Sequence, residues 1–276
     1  GDEQKDFVRG LGLRFDLPLV DAPHDRHVRF GGEAGGLWAE GVRNLTGLRR
    51  DPGAAVRKAQ LAGHAVPPIA ERVNKSLHLI PAWGDYSLAQ LSPDSFRIRK
   101  RTKAGHGWID AAWGRRAPGL GYIGGAGGGL AFGMRDFWQR HPTQLDIRNA
   151  HTDAAQVTLW IWSPDAPAMD LRFYHDGMGM ETHADELQAL DVTYEDYEKG
   201  FGTPVGVARS SEFTLWALAA TPAREQLVRM AFHVQSPPQL FAAPSHILAT
   251  RAFGNLYSLP DRSSPAKAQI EDRLDA

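Results

Sequence analysis

The sequence predicts an all-β fold, a large antiparallel β-sandwich with one or two short helices. Three observations predict it. Glycine at 29 positions and proline at 18 break the 276 residues into short pieces, most pieces alternate with period two, and helical spacing occurs in two places only. A closed barrel answers the same pattern and is the second choice. Hydrophobic residues make up 42% and charged residues 23%, proportions of a chain with a core to bury, not of a disordered or heptad-repeat one.

Taken in order, Leu11 to Phe15 and His27 to Phe30 read as weak strands. Asp51-Pro52-Gly53, then Ala54 to Ala62, then Gly63 is a helix with an N-cap, a proline in the first turn and a closing glycine. Ser95 to Arg101 alternates, with Phe96 and Ile98 on one face and Arg97, Arg99 and Arg101 on the other. Tyr122-Ile123 and Leu130-Ala131-Phe132 pair across a glycine-rich tip, and the second strand runs on to Met134. Gln156 to Trp162 has both faces covered, as an interior strand requires. A Ser163-Pro164-Asp165-Ala166-Pro167 break leads into Met169 to His175, so these two runs suggest a hairpin. Glu212 to Trp216 is a further strand, and Thr221-Pro222 opens a second helix with Leu227, Met230, Ala231 and Val234 at helical spacing. Residues 1–235 form the sandwich on this reading, and 236–276, rich in proline with a charged end, read as a connector.

Composition excludes several classes of function. The formal net charge is −1 and the isoelectric point about 6.9, so no global field draws the chain to nucleic acid or an acidic membrane. The absence of cysteine removes disulfides, thiolate zinc sites and thiol nucleophiles. No apolar run nears the roughly 20 residues a membrane span needs, and no signal-peptide pattern opens the segment. The chain reads as soluble, with a cytoplasmic location favoured. Its opening Gly1-Asp2-Glu3 reads as a processed product or a segment of something longer.

Gly119-Leu120-Gly121-Tyr122-Ile123-Gly124 matches the dinucleotide fingerprint by letter, but Pro118 precedes it and a glycine run follows it, where a helix should open. A hairpin turn fits better. The cationic stripe is more informative: Arg97, Arg99, Arg101 and Lys103 at i+2 spacing would span about 20 Å of a regular strand, which suits a linear polyanion. A solvated edge-strand face is the plain alternative. The sequel Gly105-His106-Gly107-Trp108 adds a titratable imidazole and an aromatic ring, the materials for sugar stacking and uronate binding.

Met134 to His141 forms a second polar and aromatic cluster. Alternation would set Asp136 and Trp138 on the face of Phe132, with Arg135 pointing away. Phe173-Tyr174-His175-Asp176 ends an apolar face on an imidazole able to transfer a proton or to sit at the rim. Metal spacing is thin: His24 and His27 would split to opposite faces of a strand, and His183, Asp185 and Glu186 match no ligand pattern. A Ca²⁺ ion is compatible with such residues and supported by none of them, so no cofactor is expected. Tyr194 to Glu198 is an acidic solvated loop. No Gly-x-Ser-x-Gly elbow or His-Glu-x-x-His motif occurs.

Several separated blocks carry a family likeness: His24-Asp25-Arg26-His27-Val28-Arg29-Phe30, Arg97 to Lys103 with Gly105 to Ile109, Ala131 to Trp138, Trp162 to Pro167, and Phe201-Gly202-Thr203-Pro204. Together they resemble the exo-rhamnogalacturonan lyase family, also called YetA-like, from about residue 10 to the Pro260 region. The resemblance implies three parts in the parent protein: a barrel-like β domain, a central β-sandwich and an α/α toroid. This chain is similar to the central part, a galactose-mutarotase-like super-sandwich, with 236–276 leading toward a missing toroid.

The resemblance further implies β-elimination on a pectin backbone of rhamnose and galacturonate, with the flanking domains and the acidic polysaccharide as partners. Such chemistry needs a cation on the uronate carboxylate, a base for the C5 proton and an acid for the departing O4. The residues that fit those needs are His106 and His175 for proton transfer, and Arg99, Arg101, Lys103, Trp108, Arg135 and Trp138 for substrate. The principal catalytic groups are expected in the toroid. A non-catalytic carbohydrate-binding module and an interdomain structural module are the alternatives.

Overall fold

The computed structural model describes residues 7–49, 52–170, 182, 184–185, 188, 208–255 and 258–275. The chain divides into two units, residues 1–236 and 237–276. In the first, alternating runs become β2 (Leu11–Pro18), β3 (Arg26–Gly31), β4 (Leu37–Gly41), β5 (Asp85–Ser92), β6 (Ser95–Arg101), β7 (Ile109–Gly114), β8 (Leu120–Gly125), β9 (Gly128–Met134), β10 (Thr143–Arg148), β11 (Ala154–Trp162) and β13 (Phe213–Leu218). They build a six-stranded sheet of order β2-β11-β10-β5-β6-β7 and a five-stranded sheet of order β13-β9-β8-β3-β4. Every described pair is antiparallel. The expected antiparallel sandwich is the fold of this unit.

Period-two alternation decides what faces the core. Val28 and Phe30, Tyr86 and Leu88, Phe96 and Ile98, Leu145 and Ile147, and Val157 and Leu159 point from both sheets into one buried cluster with Ile123 and Phe132. The other face of β8 and β9 carries Leu120, Tyr122 and Ala131, which meet Leu227, Met230, Ala231 and Val234. Those four lie on a helix at Arg224–Gln235, the second expected helix, begun at Arg224 and not at Pro222. The first helix expected, α1, spans Ala54–Ala62 as read; α2 is the single turn Glu71–Asn74, and the 224–235 helix is therefore α3. A Cβ at Gly133 would strike the Val234 side chain, so glycine there lets α3 lie close on β9.

One expectation is corrected. Met169 does not return beside β11, whose neighbours are β10 and β2; it begins β12 (Met169–Asp170), which pairs with β1 (Phe7–Val8). The Ser163-Pro164-Asp165 break therefore carries the chain away from its own strand. The 236–276 stretch, read as a connector, contains two helices, α4 (Pro244–Thr250) and α5 (Pro265–Leu274). Ser264 caps α5 by accepting a hydrogen bond from Lys267 N, and Pro265 follows as its first residue. Among the described residues no helix is long and apolar enough to cross a membrane.

Antiparallel pairing gathers the sandwich turns at two ends. At one, Arg26 is buried and its guanidinium donates to the carbonyls of Asp21, Ala150, Thr152 and Leu19. This arginine ties the β2–β3 connection to the β10–β11 turn, which gives the His24-Asp25-Arg26-His27 block a structural role. Lys100 meets Glu40 across the two sheets, and its ammonium lies 4.1 Å from the Trp83 ring. At the other end stand the β3–β4 and β5–β6 turns, the β7–β8 connection and the β9–β10 loop, tied by Gln235 Nε2 to Pro118 O at 2.5 Å and to Met134 O at 3.2 Å.

Candidate functional site

The outward face of the six-stranded sheet is polar, because residues between the core-facing ones on β5, β6, β10 and β11 carry charge or amide groups. Arg101 stands opposite Asp85, Arg99 opposite Ser87 and Asp110, and Arg97 opposite Trp113. Asp85 is 2% exposed; its Oδ2 accepts Arg101 Nε at 2.7 Å and its Oδ1 accepts Asn149 N at 3.2 Å. Arg99 is paired with Asp165, supplied by the loop after β11, and Arg97 lies 3.7 Å from Asp110. So the cationic stripe is not bare: each of its three arginines has a carboxylate partner. Lys103 is not part of the stripe, since β6 ends at Arg101 and a bulge interrupts its pairing with β7 after Ile98. Lys103 is exposed in the β6–β7 loop, with no ion-pair partner among the described residues.

The ring of Trp108 gathers the arginines. Arg99, Arg101 and Arg148 lie 5.1, 4.5 and 4.9 Å from its centroid, within the range of cation–π attraction. Guanidinium groups therefore occupy the ring that was expected to stack on sugar. What Trp108 does is hold three donor-rich side chains side by side. Arg101 commits only Nε to Asp85, which leaves its terminal nitrogens without a hydrogen-bond partner among the described residues. Arg148 joins this group to a buried network: its NH2 donates to Asp146 Oδ2 at 2.7 Å, Trp160 Nε1 donates to the same oxygen at 2.9 Å, and Gln144 Nε2 donates to Oδ1 at 2.8 Å. Burial raises the Asp146 carboxyl above its usual range, opposed by Arg148 and by these hydrogen bonds. With both oxygens engaged, Asp146 is a strut and not a base.

His106 is exposed on the loop that leads to Trp108, with Nδ1 2.7 Å from Thr102 Oγ1. With the proton on Nδ1 donated to Thr102, Nε2 carries a lone pair toward solvent, the tautomer a base needs. Sequence reading missed Trp113, which is 78% exposed and shares the face of Arg97. Period two in Ile109 to Gly114 is the signal that would have found it. His175, Asp176, His183, Glu186, Tyr194 to Glu198 and Phe201 to Pro204 lie outside the described residues. Among the described residues no group of three or more His, Asp or Glu is placed to hold a metal ion.

Arg135 and Trp138 do not join this group. They follow β9 at the far end of the sandwich, about 20 Å away along the seven residues of β6. Arg135 points away as expected and is bound by Glu212 at 2.9 Å, an exposed pair. Asp136 adopts φ +55° in the turn and pairs with Arg140 at 3.3 Å, so it leaves the face of Phe132. Arg116 lies 4.3 Å over the ring of Trp138.

The PcRGLX-like protein central beta sandwich domain matches residues 1–232, and the PcRGLX-like protein C-terminal alpha/alpha toroid domain matches residues 237–276. The chain is also 33% identical over 274 residues to "Uncharacterized protein YetA" of Bacillus subtilis (strain 168), a match covering 98% of this chain. It spans about 30% of the length of that relative. The family suggested by the separated sequence blocks is the one found, and with the sandwich matched over 1–232 the chain belongs to the PcRGLX-like family, which is related to rhamnogalacturonan lyase.

Proposed function

We propose that this chain supplies the substrate-contacting sandwich of a polysaccharide lyase that cleaves rhamnogalacturonan by β-elimination. The observation that carries the reading is the Trp108-centred group of Arg99, Arg101 and Arg148 beside an exposed imidazole and an exposed indole, on a chain of this family. In the reaction, a base takes the proton from C5 of the uronate. Its electron pair forms the C4–C5 double bond, the C4–O4 bond breaks, and the departing oxygen gains a proton. Carbon acidity at C5 rises when the neighbouring carboxylate is neutralised, a task suited to the unpartnered terminal N–H groups of Arg101. Trp113 offers the open aromatic face for a sugar ring, and Trp108 positions the arginines. His106 Nε2 is the base this chain could offer; the groups of a toroid are the other source.

One observation favours a second reading. Arg97, Arg99 and Arg101 are each matched by an aspartate, as they would be in a face that only supports neighbouring domains. Kinetics on the longest reading frame containing this chain separate the two. Trp113→Ala, an exposed change with little structural cost, should raise KM for rhamnogalacturonan oligosaccharides about tenfold, or ~1.4 kcal/mol, with kcat little altered. An unchanged KM favours the structural module.

A further inference from the structure

We infer that a cavity at the opposite end of the sandwich is a second binding site, taking an acidic sugar whose carboxylate meets Arg116. The inference rests on the proposed uronate substrate but not on the Trp108 face. The cavity is about 320 Å³, at the lower end of the range that holds small ligands. Its walls come from three places: the glycine-rich β3–β4 turn, the α3 residues Val228 and Phe232, and the pair Arg116 and Trp138.

Each wall has a property that ligand binding uses. On the turn, Gly32 is in an extended conformation and a Cβ there would meet nothing nearer than 3.4 Å. Packing of the chain therefore does not itself exclude a side chain at Gly32, and the bare backbone leaves the space open. On α3, Phe232 is 65% exposed at the rim. Gln235 holds the floor rigid, since its amide donates to Pro118 O and Met134 O while its oxygen accepts Asp136 N at 3.2 Å. At the third wall the guanidinium of Arg116 lies 4.3 Å from the centre of the Trp138 ring, where cation–π attraction holds the cation in place to meet a carboxylate.

Charge around this end favours an anion. Arg115 and Arg116 share the single carboxylate of Asp94, at 3.6 and 3.0 Å. Arg224 NH2 is held 3.1 Å from Gly35 O, and Glu33 Oε2 accepts Arg115 N at 3.2 Å. Of these charged groups, Arg116 lines the cavity itself. The Arg116–Asp94 pair is about half exposed, so a ligand carboxylate can replace or share that partner at little cost.

Titration calorimetry with tri-galacturonate on this chain tests the inference, using Arg116→Gln, Trp113→Ala and the double variant. Both positions are exposed, and circular dichroism checks that each variant folds. The expected result is two sites in the unchanged chain, one in each single variant and none in the double. A neutral galactose trisaccharide should bind the Trp113→Ala variant at least tenfold more weakly than tri-galacturonate does. Stoichiometry and affinity unchanged by Arg116→Gln would overturn the site, as would equal affinity for the neutral sugar or no binding at all. A single site removed by Arg116→Gln and untouched by Trp113→Ala would keep this cavity and remove the proposed role of the Trp108 face.

Discussion

His27 and Arg29 show how burial sets chemistry at single residues. Both lie on β3 with side chains turned from the main core, and both are buried. Arg29 donates to Pro222 O at 2.8 Å, while the buried Nε2 of His27 has no hydrogen-bond partner among the described residues. Burial first, and the Arg29 charge second, push the imidazole from 6.5 down to about 4. The unfolded chain takes up this proton near pH 6.5 and the folded chain only near 4, so acid favours unfolding in that interval. Stability is complete above pH 6.5 and should fall by about 3 kcal/mol as pH drops from 6.5 to 4. Urea unfolding across that range checks it; a His27→Gln variant should show a shallower slope, and an unaltered slope would contradict this account. The Asp85–Arg101 pair sets a limit of another kind. Arg101→Ala leaves a buried carboxylate without its partner, a loss of roughly 3–5 kcal/mol, so reduced sugar binding in that variant must be compared with its melting temperature. The candidate residues were legible as residue types in sequence, but their pairing was not. Asp85, Asp146, Arg148 and Asp165 reach the stripe from three other parts of the chain, and no local pattern announces such neighbours.

Elements with a strong local signature were legible, and those set by tertiary partners were not. α1 has a proline before it and a glycine after it, and Gly63 adopts φ +78°, the left-handed conformation that closes a helix. β6 follows alternation closely, and β8 is buried on both faces. β5 and β10 carry the same alternation, Tyr86 and Leu88 in one, Leu145 and Ile147 in the other, yet their polar residues are buried too, which blurs the pattern. Ser87, Gln144 and Asp146 are covered by Trp160, Arg148 and the loop bearing Ser163. The supposed hairpin of β11 failed because turn-forming residues say that a chain bends but not where it goes next. The β7–β8 connection offers a test at this scale. Gly119 has φ +71°, and a Cβ there would strike the ring-bearing carbon of Phe137. Gly119→Ala should therefore destabilise the sandwich by about 2–4 kcal/mol, read from the shift in denaturation midpoint. A shift under ~0.5 kcal/mol would mean that this end relaxes freely.

The whole chain brings two family regions together, with a sandwich unit to residue 236 and a helical unit from 237. Length, composition and alternation indicated the sandwich. The helices of 236–276 were obscured by the prolines, which here begin α4 and α5 at Pro244 and Pro265 and do not merely interrupt the chain. Separated sequence blocks carried the family, and three of them hold structural ties: Arg26 at one end of the sandwich, Trp138 under Arg116 at the other, and Arg99 and Arg101 against Trp108 on the polar face. The proposed β-elimination adds a testable consequence for the molecule as a whole. Each cleavage creates an unsaturated uronate that absorbs in the ultraviolet, so this absorbance on rhamnogalacturonan oligosaccharides is the direct measurement, made with this chain and with the longest reading frame containing it. The account predicts product from the longer frame, with Trp113→Ala raising KM. Absence of unsaturated product from both would contradict it.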